Sequence, residues 1–217
     1  MNRIGFVIPT IYSTGWARVA VPLFARVARL QNKCLFIFPG GRLNGPLEME
    51  ILRNPIFSLA NSDNLDGVIC WSSTIRHNES KEAFERFHNN FDPLPYITVQ
   101  YKIPGQVNVD FDSYTGMKNL IAHCINVHGA RKIAFLRGEE LPTHDARVKA
   151  YEDALQEAGF SYDRNSPLVT KPFVDEDGDA AAAQLFEDRH LVPGKDFDTL
   201  IGSNDYLIFK AINYFKR

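Results

Sequence analysis

Aromatic rings sit beside hydroxyl groups at two points where a short apolar run ends. The run 4–8 is followed by Thr10-Ile11-Tyr12-Ser13-Thr14-Gly15-Trp16, and the run 67–71 closes on Cys70-Trp71-Ser72-Ser73-Thr74. Flat aromatic faces stack on the apolar face of a sugar ring, and nearby hydroxyls exchange hydrogen bonds with the sugar's own. Tyr12, Trp16, Trp71 and Ser72 therefore suit a sugar-like ligand. Trp16 equally suits packing against a sheet at a helix start, and Trp71 simple core packing with its indole N–H satisfied. Arg147 stands where a periodic helix is expected to begin. Its guanidinium fork can hold two hydroxyls, or a carboxylate, in fixed orientation. A cation sits poorly at the positive end of a helix, which favours a purpose over an idle surface position.

Other constellations fail on spacing. The pair Gly40-Gly41 after Phe38-Pro39 has no following GKS or GKT, so it reads as a tight turn and not a phosphate loop. The segment Asp175-Glu176-Asp177-Gly178-Asp179 lacks the alternating order and distant Glu of a calcium loop and reads as a solvated acidic loop. His123 and His128 are five apart, so they point to different sides of a helix and make a poor metal pair. No Ser-His-Asp or Cys-His arrangement is evident. The expectation is no catalytic residue, no metal and no cofactor.

These residues need a scaffold that brings strand ends together. Short apolar runs at 4–8, 34–38, 67–71, 96–99, 132–136, 168–169 and 199–202 alternate with helical segments at 17–30, 46–59, 81–89, 114–127, 147–158, 179–188 and 207–215. Continuous hydrophobicity in short strands fits a parallel sheet covered on both faces, and the alternation predicts a doubly wound α/β fold. In such folds ligands bind outside the carboxyl ends of the strands. In the segment 147–158, Val148, Tyr151, Ala154, Leu155 and Ala158 share one face, Gly159 ends the helix and Asp145 is placed to cap it. Lys102-Ile103-Pro104-Gly105-Gln106 breaks the pattern as a linker, which predicts domains at 1–103 and 104–217.

Composition narrows the class. The 217 residues are 45% hydrophobic and 23% charged with a formal net charge of -2, ordinary for a globular protein and without the basic excess of a nucleic-acid binder. No apolar run approaches a membrane span, and MNRIGFVIPT lacks the pattern of an export signal. The three cysteines, Cys34, Cys70 and Cys124, have no paired spacing and read as buried thiols in a reducing compartment.

Three motifs in order sharpen the picture: V-x-x-D-x-x-x-G at Val109, Asp112 and Gly116; H-G-x-R-K-I-A-F at 128–135; and R-x-x-A-Y-x-x-A-L-x-x-A-G at 147–159. Together they resemble the second lobe of LacI/GalR-type ligand-binding domains, which share the type I periplasmic-binding-protein fold. The resemblance implies two doubly wound parallel-sheet lobes that bind a small molecule in the cleft between them. It implies ligand contacts at Gln100, Phe111, Arg147 and Asn204, and an aromatic platform at Phe173. Gln100 stands where the family often carries Asp, and its amide both donates and accepts, which suits a neutral polyol. Asp205, in the family-like turn Gly202-Ser203-Asn204-Asp205, reads as a helix cap. Family members run on beyond this point, so the second lobe is expected to be incomplete, with apolar surface that a homodimer could cover.

The resemblance implies a cytoplasmic small-molecule sensor of a transcriptional regulator or signal-transduction protein. No helix-turn-helix precedes the first strand, so this chain is not expected to touch nucleic acid or membrane. The wording of 38–46 and 53–73 is similar to sensor modules that precede histidine kinase or diguanylate cyclase outputs, which makes a C-terminal output domain a possible partner. The rival classes are a solute-binding protein of a transport system, an α/β enzyme, and an interaction module that has lost its ligand.

Overall fold

The computed structural model describes residues 1–11, 15–77, 79–138, 141–161, 163, 166–173 and 178–216, with the side chains of 15 and 16 excepted. The chain forms two compact units, Met1–Phe111 and Asp112–Arg217. No described helix is long and apolar enough to cross a membrane.

The first unit is built on five parallel strands in the order β2-β1-β3-β4-β5: β1 Arg3–Ile8, β2 Cys34–Pro39, β3 Gly67–Cys70, β4 Tyr96–Val99 and β5 Val107–Val109. Alternate residues feed two cores. Val7, Val68, Cys70 and Tyr96 pack with Phe57, Phe84 and Phe91 on one face, while Phe6, Ile8 and Val99 pack with Ala20 and Trp71 on the other. Helix α1, Gly15–Leu30, covers the second face; the first is covered by the segments after β2, by α3 Ser72–Ile75 and by α4 Lys81–His88. Ser80 caps α4 by accepting a hydrogen bond from the Ala83 amide at 3.1 Å.

Three expectations change here. The helix expected over 46–59 is broken into α2, Glu48–Ile51, and a 3-10 turn, Asn54–Leu59. Pro55 cannot donate its amide to a continuing helix. The Asn54 amide instead donates to the carbonyls of Gly40, Arg42 and Glu50, and Arg42 grips the buried Glu50 carboxylate through Nε at 2.9 Å and Nη2 at 3.1 Å. Both glycines of the turn are required: a Cβ at Gly40 would strike the Phe57 ring, and Gly41 has φ +83° against the Glu50 backbone. The expected linker also belongs inside the first unit. Tyr101 and Ile103 are buried in its core, Gly105 turns the chain at φ +79°, and the Gln106 amide bonds the Ile103 carbonyl at 3.1 Å. The turn launches β5, too short to register as a periodic run, so the division falls after Phe111 instead of after Ile103.

The second unit carries α5 Ser113–Asn126, β6 Ile133–Leu136, α6 Pro142–Glu157, α7 Gly178–Ala183, β7 Thr199–Gly202 and α8 Asp205–Phe215. Strands β6 and β7 pair in parallel, and the expected strand 168–169 is reduced to one bridge between Val169 and Phe135. Ile133 and Phe135 face a core shared with α5 and α6; Ala134 and Leu136 face one shared with α7 and α8. The helix expected over 179–188 is α7 followed by a π turn, Gln184–Asp188. Helix α6 starts earlier than its periodicity predicts. Pro142 occupies its first turn and Leu141 the cap position, so Asp145 is inside the helix and caps nothing.

Candidate ligand-binding site

In the first unit the carboxyl ends of β3 and β4 place Trp71 and Gln100 together. Trp71 is 8% exposed, packed 6.2 Å from the Phe6 ring, and its indole Nε1 donates to Gln100 Oε1 at 2.9 Å. Ser73 donates to the same oxygen at 3.2 Å. Gln100 itself has φ +58°, in the left-handed region, and its own amide donates to the Val109 carbonyl at 2.9 Å. The strained residue is thus fixed from both ends. With Oε1 doubly engaged, the side-chain amide nitrogen makes no bond among the described residues and is left as a donor.

Ser72 does not join this group. It is fully buried, and its Oγ lies 2.9 Å from His88 Nε2 and 3.2 Å from the Cys70 carbonyl. The expected Trp71–Ser72 pair at the strand end is in fact Trp71 with Ser73. Tyr12 lies outside the described residues, as does the side chain of Trp16. At the carboxyl ends of β1 and β2 a recess of about 380 Å³ is lined by Thr10, Ile11, Pro39, Leu52, Arg53, Pro55 and Ile56. Leu52, Arg53, Pro55 and Ile56 of this lining come from the segment where Pro55 breaks the expected helix. The helical reading of 46–59 gave Leu52 and Arg53 no signal of their own.

In the second unit the carboxyl ends of β6 and β7 meet at Ser203, which is 2% exposed. Its amide donates to the Leu136 carbonyl at 2.8 Å, and its Oγ accepts from the Gly138 amide at 2.9 Å. Its carbonyl accepts from Arg147 Nη1 at 2.6 Å, while Nη2 reaches Ser113 Oγ at 3.5 Å. Arg147 therefore lies in the second turn of α6, not at its start, and the unfavourable-dipole argument for it weakens. What holds it is direct hydrogen bonding between the turn after β7 and the first residue of α5.

Asn204 is the cap of α8, accepting from the Leu207 amide at 2.9 Å, and Asp205, expected as the cap, is the first helical residue. Phe173 is buried in the core with α7 and α8, under the Lys171 ammonium at 5.2 Å from its ring centroid. Its amide donates to the Arg137 carbonyl at 3.2 Å. Phe111, the last residue of the first unit, is 59% exposed. Sequence reasoning missed Arg137, Thr170 and His144. The Arg137 amide donates to Thr170 Oγ1 at 2.9 Å, and Arg137 Nε is buried with no partner among the described residues. His144 lies where a Cβ on Gly138 would stand, so only glycine fits there.

Charge is tuned most strongly in the core beneath the β3 end. Burial in the first unit's core pushes the Cys70 thiol up to about 12 and holds the His88 imidazole down to about 4. Both groups are enclosed, so neither meets a ligand.

No protein-family model and no curated protein matches the sequence. Solved structures do. The transcriptional regulator CelR in complex with cellobiose is 19% identical, with a TM-score of 0.74, over 100% of this chain. The fold is that of the LacI-family regulators. The Escherichia coli repressor AscG is 20% identical over 100% of this chain and 73% of its own, with a TM-score of 0.62. The Pseudomonas putida regulator Cra, solved with fructose 1-phosphate, is 20% identical over 99% of this chain and 73% of its own, with a TM-score of 0.67. This chain spans 63% of the length of the CelR chain. On a LacI-type fold, the Trp71–Gln100 and Arg147–Ser203 groups both stand at carboxyl strand ends, where open parallel sheets take their ligands.

Proposed function

We propose that the chain is the sensing domain of a cytoplasmic regulator or signal-transduction protein. Its ligand is a small polar molecule, sugar-like, and each unit offers its own candidate contacts at carboxyl strand ends: the Trp71–Gln100 group in the first and the Arg147–Ser203 group in the second. It acts by binding, not by catalysis, and passes the signal to an output domain or a second copy. The observation that carries this reading is the Gln100 side chain, held by Trp71 and Ser73 in a strained backbone conformation with its amide nitrogen left to donate. Strain of this kind persists where surrounding contacts over-determine it, and it collects at ligand clamps. The polar inventory of the strand ends supports binding over catalysis. It consists of guanidinium, amide and hydroxyl groups, while the most perturbed titratable groups are enclosed in the core. CelR and Cra, which share the fold, were solved with cellobiose and fructose 1-phosphate.

The test is calorimetric titration with cellobiose, fructose 1-phosphate and a panel of neutral sugars, alongside thermal unfolding. A true ligand at a hundredfold excess over Kd adds about 2.7 kcal/mol of stability. Arg147→Lys keeps the charge but loses the fork, and a charge-assisted hydrogen bond is worth about 1.5–3 kcal/mol, so affinity falls about ten- to a hundredfold. Unchanged affinity in Arg147→Lys and Gln100→Leu sinks the site. Turnover of any sugar makes the protein an enzyme, and silence across the panel favours an interaction module.

A further inference from the structure

His123 and His128 face each other. Their Nε2 atoms are 3.1 Å apart and their ring centroids 4.9 Å apart at an interplanar angle of 75°. The spacing of five separates them on a continuous helix, but α5 stops at Asn126. The Val127 amide makes the last helical bond, to the His123 carbonyl, at 2.9 Å. Gly129, at φ +73°, reverses the chain, and the Ala130 amide bonds the Cys124 carbonyl at 3.0 Å. The turn folds His128 back over the last helical turn and sets its ring beside His123. Both imidazoles are exposed, while Cys124 packs against the core with Ile121 and Ile125.

We propose that this pair chelates one divalent transition-metal ion, Zn²⁺, Ni²⁺ or Cu²⁺, through the two Nε2 atoms. Metal–imidazole bonds of about 2.0–2.1 Å place two ligand nitrogens about 2.9 Å apart at a right angle and about 3.3 Å apart at the tetrahedral angle. The observed 3.1 Å lies between these limits, so the ion enters with ring shifts of a few tenths of an ångström. Imidazole selects these ions over Mg²⁺ and Ca²⁺, which demand oxygen ligands. In the neutral pair one ring donates its Nε2 hydrogen to the other. On metal binding that hydrogen moves to the same ring's Nδ1, so both Nε2 lone pairs meet the ion and no proton is lost. Among the described residues no group of three or more His, Cys, Asp or Glu side chains could hold a metal. Water therefore completes the coordination, and the site is open and exchangeable.

The site lies at the end of α5 that feeds β6, opposite the carboxyl strand ends, and it stands whether or not the sensing reading does. Zinc chloride titrated into the whole chain, in a buffer that does not chelate, tests it. The expected result is one ion per chain, bound at least tenfold more weakly by His123→Ala and by His128→Ala, and unchanged by Cys124→Ser. Both histidines are exposed, so thermal unfolding of the two alanine variants without zinc should match the parent. Equal zinc affinity in parent and both histidine variants overturns the proposal. So does affinity lost only in Cys124→Ser, or parent affinity no better than that of a single free imidazole.

Discussion

His88 makes the first unit sensitive to acid. Its ring is enclosed by Phe84 at 4.7 Å, Phe87 at 5.3 Å, Phe91 at 5.8 Å and Tyr96 at 6.0 Å between centroids. Nδ1 lies 2.8 Å from the Phe84 carbonyl, so it carries the hydrogen, and Nε2 accepts from Ser72. Desolvation in this aromatic cage holds the imidazole down to about 4, against 6.5 when unfolded. With the folded value the lower one, the unfolded chain binds the proton first. The stability from the neutral ring is complete above pH 6.5, falls as the pH drops through 6.5, and stops falling near pH 4, where folded His88 protonates as well. At about 1.36 kcal/mol per unit, the loss reaches about 2 kcal/mol at pH 5 and about 3 kcal/mol at full extent. His88→Phe fits the same cage and leaves Ser72 Oγ the Cys70 carbonyl, 3.2 Å away, as its acceptor. Both tryptophans, Trp16 and Trp71, belong to the first unit, so urea unfolding followed by tryptophan fluorescence reports that unit alone. Between pH 7.5 and 5 the parent should lose about 2 kcal/mol more than His88→Phe. Equal losses in the two proteins would refute the account, because the titration would then belong to other groups.

Two further outcomes separate structural from binding roles. Asn204→Ala should cost about 1 kcal/mol through loss of the α8 cap, read by thermal unfolding; if Asn204 also contacts the ligand, the sugar titration of that variant weakens as well, and a change in stability alone returns it to a cap. Val19, Leu23, Val27 and Leu30 form an exposed apolar stripe along α1, from 47% to 72% exposed, which a second copy of the chain would cover. Leu23→Glu should then convert a dimer to a monomer in sedimentation, and a parent that sediments as a monomer at high concentration removes the homodimer.

The alternation of apolar runs made the parallel α/β architecture legible because buried strands and amphipathic helices carry strong periodic signals. What escaped was set by polar bonds and chain reversals. Strand β5 is three residues long, and pairing with β4 fixes it where no pattern could. The break between α2 and the 3-10 turn depends on Asn54 reaching three carbonyls, a contact that a helical reading of 46–59 hides. The His123–His128 pair was dismissed by counting residues along a helix that ends between them. At the candidate site, residue type found Trp71 and family resemblance found Gln100, but neither could show that Ser73, and not Ser72, completes their group. Ser72 and Ser73 are chemically equal in the sequence; the turn into α3 sends one to His88 and the other to Gln100.

That partition explains how a strand end can be both rigid and ready. Ser72, Thr170 and Ser203 spend their oxygens on the protein itself: Ser72 ties the end of β3 to His88 of α4, Thr170 holds the Arg137 amide after β6, and Ser203 holds the Gly138 amide from the end of β7. A buried polar group left without such a bond costs about 1–3 kcal/mol, so the tied groups fix the loops that carry the remaining donors. Gln100 gives up its oxygen to Trp71 and Ser73 and keeps its nitrogen, and Arg137 keeps a buried Nε with no described partner. On the proposed sensing reading, a ligand that supplies an acceptor to the Gln100 amide nitrogen would recover a desolvation cost already present in the first unit. On that reading, a molecule lacking such an acceptor would leave the Gln100 donor unpaired, and a preference for a polar, hydroxyl-bearing ligand would follow from that difference.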